Sequence, residues 1–416
     1  MEQVQSNLHS SIIDQKQPWY QRLSSSMCRQ LVFNKLSQIN NACLEFHQDQ
    51  QVETLGNPNS DLKGVITIHD EKAFVDFVKQ GSIGAGEAFI KGHWSSPDLT
   101  KVIQVFARAQ NTLDAIENRT PFLQQIKNKW LHFRNDNTLK GSKNNILAHY
   151  DLGNFLYENF LDGKMQYSSA IYDENHQTLD EAQTLKLNTI CERLELQPSD
   201  HLIEIGAGWG GLAIFAATHY GCKVTTTTIS DAQYQYAKSK IESLGLETQI
   251  TLLKQDYRLL EGQYDKLVSI EMIEAVGYKN FPTFFSKCNS LLKPGGKSLV
   301  QAITIADQRF EHYCHNVDFI QRYIFPGGCL PSITAISTNY ANHTQMVIEQ
   351  LNDIGLDYAK TLEHWRERFE KRWSVLKDNG YDDNFKRLWL YYLCYCEGAF
   401  LEKAISTVHV VTRKQS

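Results

Sequence analysis

The chain lacks a long apolar run. Over its 416 residues, no stretch approaches the roughly 18 to 20 apolar residues that a membrane-spanning helix requires. Its first six residues are polar and contain no apolar segment of the kind that a secretory signal carries. These absences predict a cytoplasmic protein, whose contact with a membrane, if any, is peripheral and on the inner face.

The sequence also lacks a positive net charge, cysteines paired at C-x-x-C spacing and clustered histidines. The net charge of −5 argues against general binding of nucleic acid. The nine cysteines are scattered and form no C-x-x-C pair, which predicts reduced thiols rather than a disulfide framework or a zinc site. His149, His312 and His315 have no companions at the spacing of metal ligands, so we expect no metal.

The most informative feature that is present is an apolar run followed by glycines. Leu202 to Ile205 lead into Gly206-Ala207-Gly208-Trp209-Gly210-Gly211, a pattern typical of a buried parallel strand and the turn into a helix. Glycines at this place let backbone amides approach a ligand at the N-terminus of the helix. The E-x-G-x-G-x-G spacing that begins at Glu204 favours S-adenosylmethionine over a dinucleotide. A tight connection that binds no ligand is the alternative interpretation.

Strand-like and helical segments alternate after this turn. The β-branched stretch 224–230 predicts a strand, and Ser230 is the expected N-cap of the next helix. The predicted elements follow the order 224–230 strand, 231–244 helix, 250–253 strand, 264–270 strand, and a helix ending at Leu292-Lys293-Pro294-Gly295-Gly296. This alternation predicts an α/β fold with a doubly wound sheet and a ligand at the carboxyl ends of its strands.

The order of these elements resembles the class I methyltransferase fold, and further motifs resemble one family within it. The chain is similar to the cyclopropane-fatty-acyl-phospholipid synthases, which include the mycolic acid cyclopropane synthases. The matching segments are 149–154, 165–170, 271–277, 323–332, 358–362 and 391–400. The resemblance implies a Rossmann-like doubly wound sheet with helical insertions, plus a smaller N-terminal α/β domain, because 81–94 looks like the lipid-handling domain of longer members.

The resemblance divides the chain into three predicted ranges. They are a lipid-handling domain over 1–110, a basic amphipathic linker over 111–145 and an S-adenosylmethionine-dependent catalytic domain over 146–416. The linker places Lys127, Lys129 and Arg134 around apolar residues at helical spacing. Two interpretations stay open for it: a helix lying on anionic lipid headgroups, and a helix packed on the protein with a solvated basic face.

The predicted cofactor site surrounds the glycine turn. We expect Gly206 and Gly208 to contact the methionine portion of S-adenosylmethionine, and Gln233 to replace the acid that often binds ribose, because 224–230 holds no carboxylate. Asp256 is the expected partner of the adenine amino group. The full set of expected cofactor-binding residues is Tyr167, Ser168, Glu204, Gly206, Gly208, Gly210, Thr228, Ile229, Gln233, Asp256 and Tyr257.

The resemblance also implies a reaction. The methyl group of the sulfonium cofactor is an electrophile, and the cis double bond of an acyl chain is a weak nucleophile that needs close alignment with it. Attack leaves a carbocation, so the pocket must exclude water and hold a base. Loss of a proton from the new methyl group closes a cyclopropane, whereas loss from elsewhere gives a methylene- or methyl-branched chain. In this family the implied base is a bound bicarbonate ion.

The residues that the resemblance assigns to the bicarbonate site are Ser169, Glu274, Gln301, Ile303 and Tyr358. Ser169 stands where a cysteine is common and Gln301 where a histidine is common, and both replacements still form hydrogen bonds. Cys396 lies in a segment often assigned an active-site cysteine. Because the chemistry needs no thiol nucleophile, a structural cysteine in a packed helix is the favoured interpretation.

Three functions remain open from the sequence. The first is methylene transfer from S-adenosylmethionine to the cis double bond of a phospholipid acyl chain, giving a cyclopropane fatty acid. The second is a methyltransferase that makes methyl- or methylene-branched acyl chains, and the third is a non-catalytic lipid-binding relative. The expected partners are unsaturated phospholipid acyl chains at a membrane surface, with a homodimer left open, and fold cannot decide among the products.

Overall fold

The computed structural model describes residues 24–110 and 153–416. The predicted linker 111–145 and His149 lie outside the described residues. The strands are β1 Cys43–Gln48, β2 Gln51–Gly56, β3 Lys63–Ile68, β4 Trp94–Ser95, β5 His201–Ile205, β6 Lys223–Thr228, β7 Ile250–Lys254, β8 Tyr264–Ile270, β9 Leu292–Ile305, β10 Met346–Asp353 and β11 Ile405–Lys414.

The helices alternate with these strands. In chain order they are α1 Ser25–Leu36, α2 Lys72–Ile90, α3 Leu99–Arg108, α4 Asn154–Glu158, α5 Leu179–Arg193, α6 Gly211–Tyr220, α7 Asp231–Ser243, α8 Phe281–Leu291, α9 Asp307–His315, α10 Phe319–Tyr323, α11 Ile333–His343, α12 Gly355–Lys371, α13 Trp373–Asp378 and α14 Asp383–Leu401. Short 3₁₀ helices cover Tyr257–Leu259, Ile273–Ala275 and Tyr278–Asn280. Within the described residues, no helix is both long and apolar enough to cross a membrane.

Contacts divide the described chain into two units. The first combines 24–110 with Asp318–Ile324 and Trp365–Ala404, and the second combines 153–317 with Phe325–His364 and Ile405–Ser416. Two segments from the range predicted as the catalytic domain therefore belong to the first unit. The assignment of separate functions to 1–110 and 146–416 stays a prediction.

The second unit is built on a seven-stranded sheet with the order β10-β11-β9-β8-β5-β6-β7. The strands from β7 to β9 run parallel, and β11 is antiparallel to both β9 and β10. The first strand of this sheet along the sequence, β5, lies in its middle. The next two strands, β6 and β7, extend the sheet to one side, and β8 then lies on the other side of β5. This reversal is the point at which doubly wound sheets bind their ligands. The predicted fold class is confirmed.

Both faces of this sheet are covered. Because side chains alternate along a strand, Leu202 and Ile203 point to opposite faces. Leu202 packs into a cluster with α5 and α6, whereas Ile203 packs into a second cluster with Phe284 and Phe285 of α8. Burial on both sides explains why β5 reads as a continuous apolar run in the sequence.

Two local predictions can be compared directly with the structure. Ser230 caps α7 by accepting a hydrogen bond from the Gln233 backbone N–H, as predicted. The predicted turn at Lys293-Pro294-Gly295-Gly296 is instead a bulge at the start of β9. Leu292 pairs with Tyr264 of β8, and the next pair is Lys297 with Lys266. Four residues of β9, 293–296, therefore lie opposite a single residue of β8, Asp265. A bulge accommodates the proline because it interrupts the ladder of hydrogen bonds.

The first unit has its own sheet, with the order β2-β1-β3-β4. The 81–94 segment lies mostly in α2, which departs from helical geometry at Gly81, where φ is +54° and ψ is −129°. Gly86 packs closely enough against Phe319 that a Cβ atom there would lie 2.6 Å from the Phe319 ring. The predicted smaller N-terminal α/β fold is therefore present in this unit.

Candidate active site

The glycine turn follows β5 and opens onto free space. Gly206, Gly208 and Gly210 have φ values of +100°, +51° and +88°, in the region that favours glycine. Apart from Gly208 itself and its two chain neighbours, no heavy atom of residues 24–110 and 153–416 lies within 4 Å of the place where a Cβ of Gly208 would stand. This turn leads directly into α6, so the arrangement fits the close approach of a cofactor to the helix N-terminus.

A buried lysine organises the opposite side of this predicted cofactor site. Lys186 on α5 is fully buried and donates hydrogen bonds to Ser168 Oγ at 2.8 Å and Gln166 Oε1 at 2.9 Å. The Ser168 carbonyl accepts from Gln183 at 2.9 Å, and the Tyr167 ring meets the Tyr157 ring edge to face at 5.2 Å. Hydrogen bonds to Ser168 and ring packing on Tyr167 thus hold these two predicted cofactor-binding residues in place.

The residues predicted near the ribose are preorganised by one another. Thr228 Oγ1, at the end of β6, donates to Gln233 Oε1 at 2.9 Å, which fixes the amide orientation.

Glu204 is buried in β5 and accepts from Thr226 Oγ1 at 2.5 Å, and desolvation raises the pKa of Glu204 to about 8. Ile229, which follows β6, is half-buried. Glu204 therefore pairs within the sheet, and its predicted role toward the cofactor stays a prediction.

The residues predicted near adenine lie at the end of β7. Asp256 accepts hydrogen bonds from the Arg258 guanidinium at 2.9 and 2.7 Å and from the Arg258 backbone N–H at 2.9 Å. Tyr257 packs edge to face on Phe284 at 5.8 Å. Its buried hydroxyl has no hydrogen-bond partner among the described residues.

A pair of carboxylates follows β8, and the sequence prediction named only one of them. Glu271 accepts three hydrogen bonds. Its Oε1 accepts from the Ser169 backbone N–H at 2.9 Å and from Gln301 Nε2 at 2.7 Å, and its Oε2 accepts from the Tyr358 hydroxyl at 2.8 Å. Desolvation raises the pKa of Glu271, whereas these donors and the charge of Lys186 act against the rise. Glu271 thus gathers three of the predicted catalytic residues around one carboxylate.

The predicted Glu274 lies beside this cluster. Its Oε1 accepts from the Ile303 backbone N–H at 2.5 Å. Its Oε2 is shielded from solvent and has no hydrogen-bond partner within residues 24–110 and 153–416. Desolvation, reinforced by the negative charge of Glu271, raises the pKa of Glu274 to about 8. A carboxyl with that pKa is mainly protonated at neutral pH.

A chain of hydrogen bonds orients Gln301. Arg193 can only donate, so its contact with His409 Nδ1 at 2.7 Å makes that nitrogen an acceptor. His409 Nε2 therefore carries the hydrogen and donates to Gln301 Oε1 at 2.8 Å. Burial and the neighbouring cations lower the pKa of His409 to about 3, so the ring is neutral. The Gln301 NH₂ group is consequently turned toward Glu271.

The glycine turn and the carboxylates lie at the same edge of the sheet. β5 and β8 are neighbouring parallel strands, and Ser269 Oγ donates to the Ile205 carbonyl at 3.0 Å. Gln301 on β9 stands opposite Ile270, the last residue of β8. A Cβ on Gly206 would lie 3.2 Å from Met272 Cγ, between the two carboxylates in sequence. This edge therefore combines a cofactor-type turn with a shielded acid and base.

Cys396 belongs to the first unit, whereas Glu271, Glu274 and Tyr358 belong to the second. It lies in α14, as the packed-helix interpretation expected, and is half-buried. Burial raises the pKa of the Cys396 thiol, which disfavours the nucleophilic thiolate. A catalytic role for Cys396 stays a prediction. Among the described residues, no group of three His, Cys, Asp or Glu side chains is arranged to hold a metal ion.

Sequence reasoning missed Glu271, Lys186, Arg193 and His409. Glu271 stood within a matching motif, and its backbone conformation, with φ at +47°, is a signal that only coordinates reveal. Lys186 and Arg193 lie on α5 at positions that read as ordinary polar helix residues. His409 lies in a strand, 108 residues away from the glutamine that it orients.

The amino-acid sequence is similar to those of known enzymes that act on fatty acyl chains. Residues 137–410 match the family model for mycolic acid cyclopropane synthetase. The chain is 36% identical to the cyclopropane-fatty-acyl-phospholipid synthase of Escherichia coli strain K12, over 85% of this chain and 88% of that protein. It is 37% identical to the tuberculostearic acid methyltransferase UfaA1 of Mycobacterium tuberculosis, over 77% of this chain and 76% of that protein.

Solved structures show the same fold. The mycolic acid cyclopropane synthase CmaA1, crystallised with SAH and CTAB, superposes with a TM-score of 0.60 at 26% identity, covering 65% of this chain and 98% of that chain. The relatives are S-adenosylmethionine-dependent enzymes, and the open glycine turn fits that cofactor. The chain belongs to the cyclopropane fatty acid synthase-like family of S-adenosylmethionine-dependent methyltransferases.

Proposed function

We propose that this enzyme transfers a one-carbon unit from S-adenosylmethionine to the cis double bond of an unsaturated phospholipid acyl chain, giving a cyclopropane fatty acid. The observation that carries the proposal is the shielded carboxylate pair, Glu271 and Glu274, at the same sheet edge as the open glycine turn. Methylation of an alkene needs such a place, because its cation must be kept from water and must lose a proton.

When bound, S-adenosylmethionine supplies an electrophilic methyl group. The N–H groups of Gly206 and Ala207 donate to the Thr227 carbonyl and shape the turn, which leaves free space beside Gly208 for the methionine portion of the cofactor. Ser168, held by Lys186, and Thr228, held against Gln233, line the adjoining walls in the proposed arrangement. Glu271 provides negative charge close to where the cation develops, which stabilises the transition state more than the neutral substrate.

The sequence predicted bicarbonate as the base, and the residues present do not fit that ion in this arrangement. The Gln301 and Tyr358 donors assigned to it already donate to Glu271, as does the Ser169 backbone N–H. The Ser169 hydroxyl donates to the Ala170 carbonyl, and the Ile303 N–H donates to Glu274. A further anion would also lie beside the Glu271 charge, which is unfavourable in a poorly solvated site. We therefore route no step through bicarbonate.

A second product class is supported by similarity. UfaA1 is a tuberculostearic acid methyltransferase, and its identity to this chain, at 37%, is nearly the same as that of the E. coli synthase, at 36%. The routes share the methylated cation and diverge after it: loss of a proton from the new methyl group closes the ring, loss from a neighbouring chain carbon leaves a methyl-branched alkene, and a hydride shift before proton loss gives a methylene branch. A methyl- or methylene-branched chain is accordingly the alternative product.

The substrate implies a membrane surface, because phospholipid acyl chains reside in bilayers. We propose that the enzyme acts as a cytoplasmic, peripheral membrane protein, that the 1–110 region takes part in lipid handling, and that 111–145 contributes basic charge. Whether the enzyme works as a homodimer belongs to the same set of proposals. Co-sedimentation with anionic vesicles tests the membrane contact, and sedimentation equilibrium tests the dimer.

Incubation with methyl-labelled S-adenosylmethionine and vesicles of a monounsaturated phospholipid tests the function. We expect label in the acyl chains, and ring-opening analysis of the released fatty acids distinguishes a cyclopropane from a branched chain. Vesicles of a fully saturated phospholipid are the matched control and should take up no label. Absence of label from the unsaturated chains, under conditions where the cofactor binds, would contradict the proposal.

A further inference from the structure

Glu271 is placed where a bound anion was expected. Its two oxygens accept from the Ser169 backbone N–H, Gln301 Nε2 and the Tyr358 hydroxyl, at 2.9, 2.7 and 2.8 Å. A carboxylate and a bicarbonate ion present the same planar pair of acceptor oxygens to such donors. The side chain therefore satisfies the donors that an exogenous anion would otherwise need.

The backbone shows that this placement is specific. Glu271 has a φ of +47°, in the left-handed region that costs little for glycine and is strained for a residue with a Cβ. Its N–H donates to the Gln301 carbonyl at 2.8 Å, which ties the strained residue to the end of β9. Strain of this kind persists where surrounding interactions enforce it, and it is concentrated at functional sites.

The surrounding charges suit an ionised Glu271 and a neutral Glu274. Lys186 is the cation whose charge acts on Glu271, and its ammonium is fully buried. Among the residues that the structure describes, Glu271 accepts three hydrogen bonds, whereas Glu274 accepts one and has a shielded oxygen without a partner. Burial raises the pKa of both carboxyls, but donors stabilise the charged form of Glu271, so Glu274 is the one that holds a proton more readily.

We propose that the carboxylate of Glu271 is the catalytic base of this enzyme and takes the place of a bound bicarbonate ion. The inference rests on the proposed one-carbon transfer to an alkene. A C–H bond of the cationic intermediate breaks, its electron pair forms the new C–C bond of the ring or a C=C bond, and the proton moves to Glu271. Oε2 is the accepting atom, because it receives one hydrogen bond whereas Oε1 receives two. The proton is then released to solvent, which restores the carboxylate.

Two variants of Glu271 distinguish a mechanism in which its carboxylate is the base from one in which a bicarbonate ion is the base. Glu271→Gly removes the carboxylate, suits the positive φ and leaves the three donors free for an added anion. Glu271→Gln keeps the side chain's shape, so it removes the base and still blocks the site. Glu242→Gln, at an exposed position on α7, is the matched control and should behave as the parent enzyme.

The first measurement is turnover in buffer freed of carbon dioxide, with and without added bicarbonate. We expect the parent to be insensitive to bicarbonate. Both variants should lose about 10²-fold or more in turnover, the range for removal of a positioned base, and added bicarbonate should restore Glu271→Gly only. Calorimetry with S-adenosylmethionine checks that each variant has folded.

The second measurement does not depend on activity. Binding of ¹³C-labelled bicarbonate, followed by NMR line broadening, should be absent in the parent and in Glu271→Gln and present in Glu271→Gly. Loss of parental turnover on depletion of bicarbonate, or binding of the labelled ion by the parent, would overturn the proposal. If the parent transfers no label to any unsaturated lipid, the proposed function fails instead, and the binding experiment still decides what occupies the anion site.

Discussion

Lys186 donates from Nζ to Ser168 Oγ at 2.8 Å, and it does so from a fully buried position on α5. Burial lowers the pKa of Lys186 to about 8, although Glu271, Asp162 and Glu204 favour its charged form. An ammonium group in such a place is tolerated when its donors are used and opposite charge is near. It therefore couples the proposed cofactor wall to the carboxylate that we infer to be the base.

Replacement of this lysine should weaken cofactor binding. Lys186→Met keeps much of the side-chain volume but leaves Ser168 and Gln166 without their charged donor. Hydrogen bonds to charged groups contribute about 1.5–3 kcal/mol, so we expect affinity for S-adenosylmethionine to fall by about 10-fold or more in calorimetry. Lys238→Met, on the exposed side of α7, is the control. Equal affinity in both variants would exclude the coupling.

The free space beside Gly208 leads to a second prediction. Gly208→Val places a branched side chain in this space and forces valine to a φ of +51°. We expect cofactor binding to be lost in calorimetry. Gly245→Val is the matched control, because Gly245 also has a positive φ, at +67°, and open space beside it, outside the site. Near-normal affinity in Gly208→Val would place the cofactor elsewhere.

Glu274 should make stability depend on pH. Its pKa of about 8 in the folded chain lies above the ordinary glutamate value of 4.5, so the folded protein keeps a proton that the unfolded chain releases. The free energy of unfolding should therefore fall as pH rises from about 4.5 to about 8, by up to about 1.4 kcal/mol per pH unit for one proton. Glu274→Gln should lower the slope of denaturant-derived stability curves by one proton's contribution through this window and leave the contribution of Glu204, whose pKa is also about 8. Parallel curves for variant and parent would contradict the raised pKa.

The histidine behind Gln301 should act as a positioning residue. His409→Leu removes the donor to Gln301 Oε1 and leaves Arg193 without its acceptor. We expect turnover to fall by about 10-fold with little change in cofactor affinity, because leaving buried polar groups unpaired costs about 1–3 kcal/mol. His409→Gln can accept and donate in the same places and should restore most of the turnover. Failure of that rescue would show that packing, not orientation, is what matters.

Cys396 offers a test that separates a thiol-dependent step from the carboxylate chemistry. Cys396→Ser should keep most of the turnover, because burial raises the pKa of the thiol and the proposed mechanism needs no sulfur nucleophile. Labelled product from phospholipid vesicles is the readout. Loss of activity in a variant that still binds the cofactor would indicate that a thiol-dependent step exists.

The sequence by itself determined the parts of this protein that depend on neighbouring residues. The apolar run at 202–205, the glycines that follow it and the Ser230 cap of α7 predicted the strand, the turn and the helix that the structure contains. These features are local because propensity, capping and turn conformation involve only a few consecutive residues. The motifs that resemble the cyclopropane-fatty-acyl-phospholipid synthases then predicted the family to which the chain belongs.

Tertiary structure alone decided what the carboxylates do. Glu271 and Glu274 lie three positions apart in one motif, and nothing local distinguishes the carboxyl that accepts three hydrogen bonds from the one whose pKa rises to about 8. The distinction arises because donors at positions 169, 301 and 358 meet at Glu271, whereas the donor to the Glu274 side chain within the described part of the chain is the Ile303 N–H. Hydrogen bonds between distant segments and the exclusion of water set those protonation states. Neither those hydrogen bonds nor the exclusion of water exists until the chain has folded, so the sequence alone does not reveal them.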